Sequence, residues 1–248
     1  VKNKIFNQAI IITGLLAFAL LSLSAVAEMP RFGDPNNPPN LHVVDRYLEK
    51  GEEEAGCKNV VTDIILNYRG YDTMGEVTVI FTALCAALAI LKRENFYTSF
   101  SLLDTSPNKT SIVVRTIIAL MFPLIFLFGL YVILHGEDTP GGGFQGGTVI
   151  AASLILFILV FGFRYTLNKL SPKFREFFES MAPLSFFLVG SLSLIIGLEF
   201  LSYMLPIFSE GYRLEVARLL LSFIEIGIGV GGAAIFTSLF FSMQREEK

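Results

Sequence analysis

His135-Gly-Glu-Asp-Thr-Pro-Gly-Gly-Gly-Phe-Gln-Gly-Gly147 stands between two long apolar runs, Ile112 to Leu134 and Phe144 to Phe163. Runs of about 18 or more apolar residues are long enough to cross a bilayer as helices. A polar, glycine-dense turn between two such runs reads as the reversal of a chain that crosses, turns and crosses back. The composition extends that reading to the whole chain. Its 248 residues are 53% hydrophobic with 24 Phe, only 17% are charged, and the mean hydropathy is +0.61. A soluble domain of this length rarely has such a composition.

Four more apolar runs flank the pair: about Ile5 to Ala27, Thr73 to Leu91, Pro183 to Tyr203 and Ala217 to Phe241. Ala25-Val26-Ala27 before Glu28 has the small-residue form of a signal-peptidase site. The run before it exceeds the roughly 7–15 residues of a signal core, so it is read as a first span. The expectation is an all-α integral membrane protein of about six transmembrane helices. With six spans, the terminal tails and loops 92–115 and 164–175 share one side and hold 12 Lys and Arg, against 7 on the other. The positive-inside rule then makes both termini cytoplasmic and puts the 135–147 turn outside, where it carries no Lys or Arg.

A long polar outer loop, about 28–72, follows the first span. Its first half, with Pro30, Pro35, Pro38 and Pro39, is expected to lie extended over a partner or the surface. From about Asn40 a short helix is expected to end at Gly51. Val60, Val61, Ile64 and Ile65 place a second over Cys57 to Leu66. The polar connector 93–111 divides the chain into a two-span unit, 1–92, and a four-span unit, 112–248.

Several function classes fall away. A net charge of −3 without a basic block or RNA-binding motif leaves nucleic acid out as a partner. Cys57 and Cys85 form no Cys-x-x-Cys, and His42 and His135 lack ligand spacing, so no redox centre, structural metal or cofactor is expected in this chain. Gly141-Gly-Gly143-Phe-Gln-Gly146 satisfies G-x-G-x-x-G by letter, but no strand precedes it and a membrane span follows, so it is no dinucleotide loop. No nucleophile–base set is present, so the chain is not read as an enzyme by itself.

The chemistry belongs to carboxylates near the membrane interior, where ionisable groups are costly. Asp72 and Glu76, one helical turn apart, share a face if the helix begins before Asp72. Such a pair suits a proton carrier or an oxygen site for Na+; the alternative is a helix-start charge at the headgroups. Glu225 falls about a third of the way into the last span, before the small residues Gly227, Gly229, Gly231 and Gly232. Arg218 is about 10 Å away along the same face, too far to pair directly. Glu199 lies near the outer end of the fifth span, and Arg115 reads as a snorkelling anchor. In the turn, Pro140 begins the bend, Gly141, Gly142 and Gly143 permit close backbone approach, and Gly146 and Gly147 let the next span pack tightly. His135, Glu137 and Asp138 are read either as a proton relay or cation collector or as a solvated loop.

The string His135-Gly-x-x-Thr-Pro140-Gly141-Gly142-Gly143-Phe144-Gln145-Gly146-Gly147 between hydrophobic helices resembles the MnhB-type component of Mrp-type multisubunit Na+/H+ antiporters. It also resembles the matching component of membrane-bound hydrogenases and sulfane reductases, and the likeness covers roughly 111–243. Asn59-Val-Val-Thr-Asp-Ile-Ile-Leu-Asn-Tyr-Arg-Gly-Tyr-Asp-Thr-Met-Gly-Glu76 is similar to the C-terminal end of the large, A-type antiporter component and to the small hydrogenase component corresponding to it, over about 5–92. The chain thus resembles a fusion of two usually separate pieces.

The resemblance implies a multi-pass component of the cell (inner, cytoplasmic) membrane that moves Na+ and H+. Its implied partners are A-, C-, D-, E-, F- and G-like antiporter subunits and a hydrogenase-like redox arm. It assigns Glu76 to the ion path and places a membrane acid at the segment matching Glu225. Glu137 and Asp138 fall on positions variable in the family. A purely structural role, holding larger pumps together, is the competing reading.

Overall fold

The computed structural model describes residues 2–90, 110–162 and 172–242. The expected connector 93–111 therefore lies outside the described residues except for its last two, and so do Arg164 and Lys169 of the basic loop. The chain forms two compact units, Val1–Arg46 and Tyr47–Lys248.

In the first unit, α1 (Lys2–Ala27) is a continuous apolar helix. The proline-rich stretch after it is not extended. It forms consecutive tight turns, with Asp34 N–H on Arg31 O at 3.2 Å and Asn37 N–H on Asp34 O at 3.1 Å. The amides of Asn37 and Asn40 bind the carbonyls of Arg31 and Asp34 at 3.1 Å each, which is how asparagine stabilises turns. A short helix α2 (Pro38–His42) follows with proline in its first turn.

Helix α3 (Val44–Ala55) does not stop at Gly51 as expected. Glycine costs an interior turn only about 1 kcal/mol, and Gly51 is used to admit the Asp63 carboxylate, whose Oδ2 lies 3.0 Å from where a Cβ would stand. The helix ends at Gly56, whose φ of +89° is the left-handed cap. The second short helix starts later than expected, as α4 (Val60–Thr62) capped by the Asn59 side chain on Val61 N–H. It widens into a π-helical turn, Asp63–Tyr68, closed by Arg69 N–H on Ile64 O at 2.8 Å.

Five long helices complete the second unit: α5 (Gly70–Ile90), α6 (Ile112–Leu134), α7 (Gly143–Phe161), α8 (Pro172–Ile195) and α9 (Glu210–Ser242). With α1 they make six helices long and apolar enough to cross a membrane among the described residues, and none of those residues is in a strand. The all-α, six-span expectation stands.

The fifth span is displaced. It covers Glu176–Ile195 and passes through Pro183 instead of starting there. Its end is a Schellman motif: Gly197 has φ +86°, Leu198 N–H binds Ser193 O at 3.0 Å and Gly197 N–H binds Leu194 O at 2.9 Å. Residues 196–203, which hydropathy assigns to the span, form a turn segment with Leu201 and Tyr203 buried, in which Ser193 Oγ donates to Ser202 O and Tyr203 donates to Leu66 O at 2.9 Å. Burial pushes the Tyr203 hydroxyl pKa upward.

Helix α9 is the axis of this unit, packing against α5, α6, α7 and α8. Its span is 56% buried, against 11% for α6. Small residues make this possible. A Cβ at Gly231 would meet Ala182 of α8 at 2.7–2.8 Å.

A candidate carboxylate site at the glycine-rich turn

Helix α6 ends in the His135 cap, where Nδ1 lies 3.1 Å from Tyr131 O and Thr139 Oγ1 donates to His135 O at 2.9 Å. The chain then folds back, Gly142 N–H binding Val132 O at 3.2 Å, and enters α7 through Gly142 with φ +143°. The following glycines meet backbone. A methyl group at Gly147 would stand 2.6 Å from Gly229 O of α9, and one at Gly141 would stand 2.8 Å from Val132 O. At Gly143 it would overlap the Glu225 carbonyl. Pro140, Phe144 and Gln145 remain exposed, with the Phe144 ring edge-on to Phe236.

Because Gly143 opens α7 against the Glu225 backbone, Glu225 is level with the end of α7. The first turns of α9 project beyond it. The Glu225 side chain is 2% exposed. Both carboxylate oxygens lie against Gly136, where any Cβ would collide with them. The Thr62 hydroxyl stands 3.5 Å from Glu225 Oε1 and 2.7 Å from Gly136 O. Asn59 Nδ2 donates to Gly136 O at 2.7 Å and to Thr139 O at 2.9 Å, and Lys58 and Asn59 N–H both bind Glu137 O. The segment ahead of α5 thus closes over the turn between α6 and α7.

Glu137 is drawn inward. Ser222 of α9 donates to its Oε1, while its Oε2 is buried without a hydrogen-bond partner. Glu137 also joins Asp138, Glu215, Arg218, Leu219 and Ser222 around a cavity of about 320 Å³. Arg218 does not approach Glu225; it donates to Gly56 O and faces Glu52 at 3.6 Å. Asp63, 1% exposed, accepts Cys57 N–H at 3.3 Å, and burial raises its pKa to about 6. The Cys57 thiol is also pushed up, first by burial and then by Asp63.

This turn lies inside the region that relates the chain to known proteins. Residues 113–239 match the family model described as a domain related to the MnhB subunit of Na+/H+ antiporter. The chain belongs to the MnhB-related family. Residues 10–104 match a second model, MbhE, the E-type component of MBH, so the two halves carry separate family signatures. An uncharacterized Methanocaldococcus jannaschii protein is 31% identical over 56% of this chain, which spans just 57% of that relative's length. A putative antiporter subunit mnhB2 of Staphylococcus aureus is 30% identical over 55% of this chain and 96% of its own.

A solved chain of the membrane-bound sulfane sulfur reductase, an archaeal respiratory membrane complex, matches 94% of this chain and 98% of its own at 29% identity, TM-score 0.63. A chain of the Mrp complex from Dietzia sp. DQ12-45-1b shares the fold at 19% identity over 97% of this chain and 27% of its own, TM-score 0.59.

Within this MnhB-related chain the sequence-selected acids separate. Glu225 is enclosed, whereas Glu76 is exposed on α5. Helix α5 begins at Gly70, so Asp72 and Glu76 do share a face, but Asp72 pairs with Arg69 at 2.6 Å. No hydrogen bond or ion pair links Glu76 to Glu225 among the described residues. Glu199 is exposed in the turn segment after α8 and outside any helix. Arg115 lies over the Phe161 ring.

Sequence reasoning missed Thr62, Asn59 and the inward turn of Glu137. It also missed Glu179 of α8, which is 4% exposed and accepts a hydrogen bond from Ser238 of α9 at 2.5 Å. A fifth span that starts at Pro183 puts Glu179 in a loop; the aromatic pair Phe177-Phe178 beside it was the available signal.

Proposed function

We propose that this chain is an ion-translocating membrane subunit of an Mrp-type Na+/H+ antiporter module within a respiratory complex of the membrane-bound hydrogenase or sulfane reductase type. The observation that carries the reading is Glu225, a carboxyl group enclosed where both halves of the chain and the glycine-rich turn meet. An acid held in such a place without a directly bonded cation is a group kept for chemistry rather than for stability. Glu76, facing outward from α5, is the second station, where a neighbouring subunit completes its surroundings; Asp72 and Arg69 flank it. The partners are other antiporter-type subunits and a redox arm, with Na+ and H+ as the transported ions and the cytoplasmic membrane as the site. Similarity to the sulfane reductase chain over nearly the whole length supports a redox-driven parent complex.

A purely structural role is favoured by one observation, the backbone-to-backbone packing of Gly143 and Gly147 on α9. The two readings part in the assembled complex reconstituted into vesicles. Glu225→Gln and Glu76→Gln are expected to assemble normally and lose Na+-dependent proton transport, whereas Gly147→Leu is expected to block assembly. Wild-type transport by both carboxylate variants would leave the structural role.

A further inference from the structure

Glu137 directly follows Gly136, the residue against which the Glu225 carboxylate packs, and the two acids differ in access. Glu137 lines the 320 Å³ cavity, which opens outward past the exposed Asp138 and Glu215 and has room for several waters. Glu225 does not line it. Its carboxylate is packed against the Gly136 backbone so closely that a single added Cβ there would collide with both of its oxygens.

The oxygen atoms nearby are already committed. Gly136 O accepts from both Asn59 and Thr62 at 2.7 Å, which uses both its lone pairs. Thr62 has one hydroxyl hydrogen, and the carbonyl at 2.7 Å takes it in preference to the carboxylate at 3.5 Å. The Thr62 oxygen therefore faces Glu225 as an acceptor, an arrangement that a carboxyl O–H completes. A hard cation leaves water only for several oxygen ligands together, and this pocket does not offer them.

We infer that Glu225 exchanges protons, and not Na+, with the acid-lined cavity, and that Glu137 carries them between the two. This rests on the proposed function above. Glu137 takes a proton from hydronium in the cavity, which leaves as water. Its O–H bond breaks as one forms on Glu225, and Glu137 is left as the carboxylate that accepts the next proton. Ser222 holds one Glu137 oxygen in place and leaves the other, buried and unpartnered, for the transfer. The other titratable group that senses Glu225 is Cys57, ahead of α4. Helices α6 and α7 meet this region with Ile133 and glycine, and Arg218 is turned away to Glu52 and Gly56.

The test uses the purified parent complex in vesicles, with transport measured across a range of pH and of Na+ concentration. Glu137→Gln is expected to slow turnover on the order of a hundredfold and to displace its pH profile, with the apparent KM for Na+ unchanged. Glu137→Asp, which keeps the carboxylate, is expected to restore part of the rate. Co-purification of the partner subunits checks that each variant assembles. A raised KM for Na+ with the pH profile intact would overturn the inference, and so would wild-type behaviour in both measurements. If Glu225→Gln abolishes transport while Glu137→Gln changes nothing, this inference fails and the proposed function stands. If Glu225→Gln transports normally, the proposed function fails first.

Discussion

Gly136 shows how little room the carboxylate site allows. Any side chain there must displace the Glu225 carboxyl or the turn itself. Gly136→Ala is expected to lose stability by about 1–3 kcal/mol, the usual cost of overpacking, and to impair transport. Gly75→Ala on α5, with no neighbour within 4 Å of the added methyl, serves as the control. Thermal unfolding and transport, measured on both variants, check the contrast.

Asp63 makes a separate, pH-dependent prediction. Its folded pKa of about 6 lies above the usual value near 3.9, so its contribution to docking is fully present below about pH 3.9 and is lost as pH rises through 6. Amide protection over residues 57–69, corrected for the intrinsic exchange rate at each pH, should therefore fall between about pH 4 and pH 6, the window that linkage sets. Asp63→Asn should flatten that dependence; an unchanged slope in the variant would locate the effect elsewhere. Glu225 was legible as a buried acid because a lone carboxylate in an apolar run has few other uses. Thr62 and Asn59 were not legible, since their partners are backbone carbonyls more than 70 residues away, and nothing local marks such contacts.

At the scale of elements, the spans were readable wherever apolar length alone decides them. Ile112–Leu134 matches its expected bounds, and α7 differs by two residues or fewer at either end. Errors occurred where glycine conformation or burial by other helices mattered. Gly197 ends α8 through its left-handed φ, and beyond it Leu201 and Tyr203 are buried in a turn packed on Gly70 of α5 and Leu66 of the π-helical turn, which hydropathy cannot distinguish from a span. Gly51 and Gly56 look alike in sequence. One admits a carboxylate in mid-helix, and the other caps the helix with positive φ.

The α8–α9 seam carries its own test. Gly227 faces Ser185 and Gly231 faces Ala182, so Gly231→Leu should force the pair apart and lower the unfolding temperature of the complex in detergent. Gly211→Leu, at the open start of α9 with no neighbour within 4 Å, should leave it unchanged. Equal effects from the two would mean the seam is not under close-packing constraint.

At the scale of the whole molecule, residues 47–90 and the four-helix region share one compact unit even though two different family models cover them. The physical reason is a set of contacts across the division: Asn59 and Thr62 on the turn, Arg218 on Gly56 O, and Tyr203 on Leu66 O. The first half therefore closes the carboxylate site built by the second. That explains why a chain carrying both halves gains a fixed geometry around Glu225, and why the turn's glycines and the acid belong to a single arrangement.

The most direct test of this arrangement is Na+-dependent proton flux in vesicles holding equal amounts of assembled complex, compared between wild type, Glu225→Gln and Glu225→Asp. The account predicts that flux disappears in Glu225→Gln and partly persists in Glu225→Asp, where a proton-binding group remains. Undiminished flux in Glu225→Gln, with the complex intact, would contradict it.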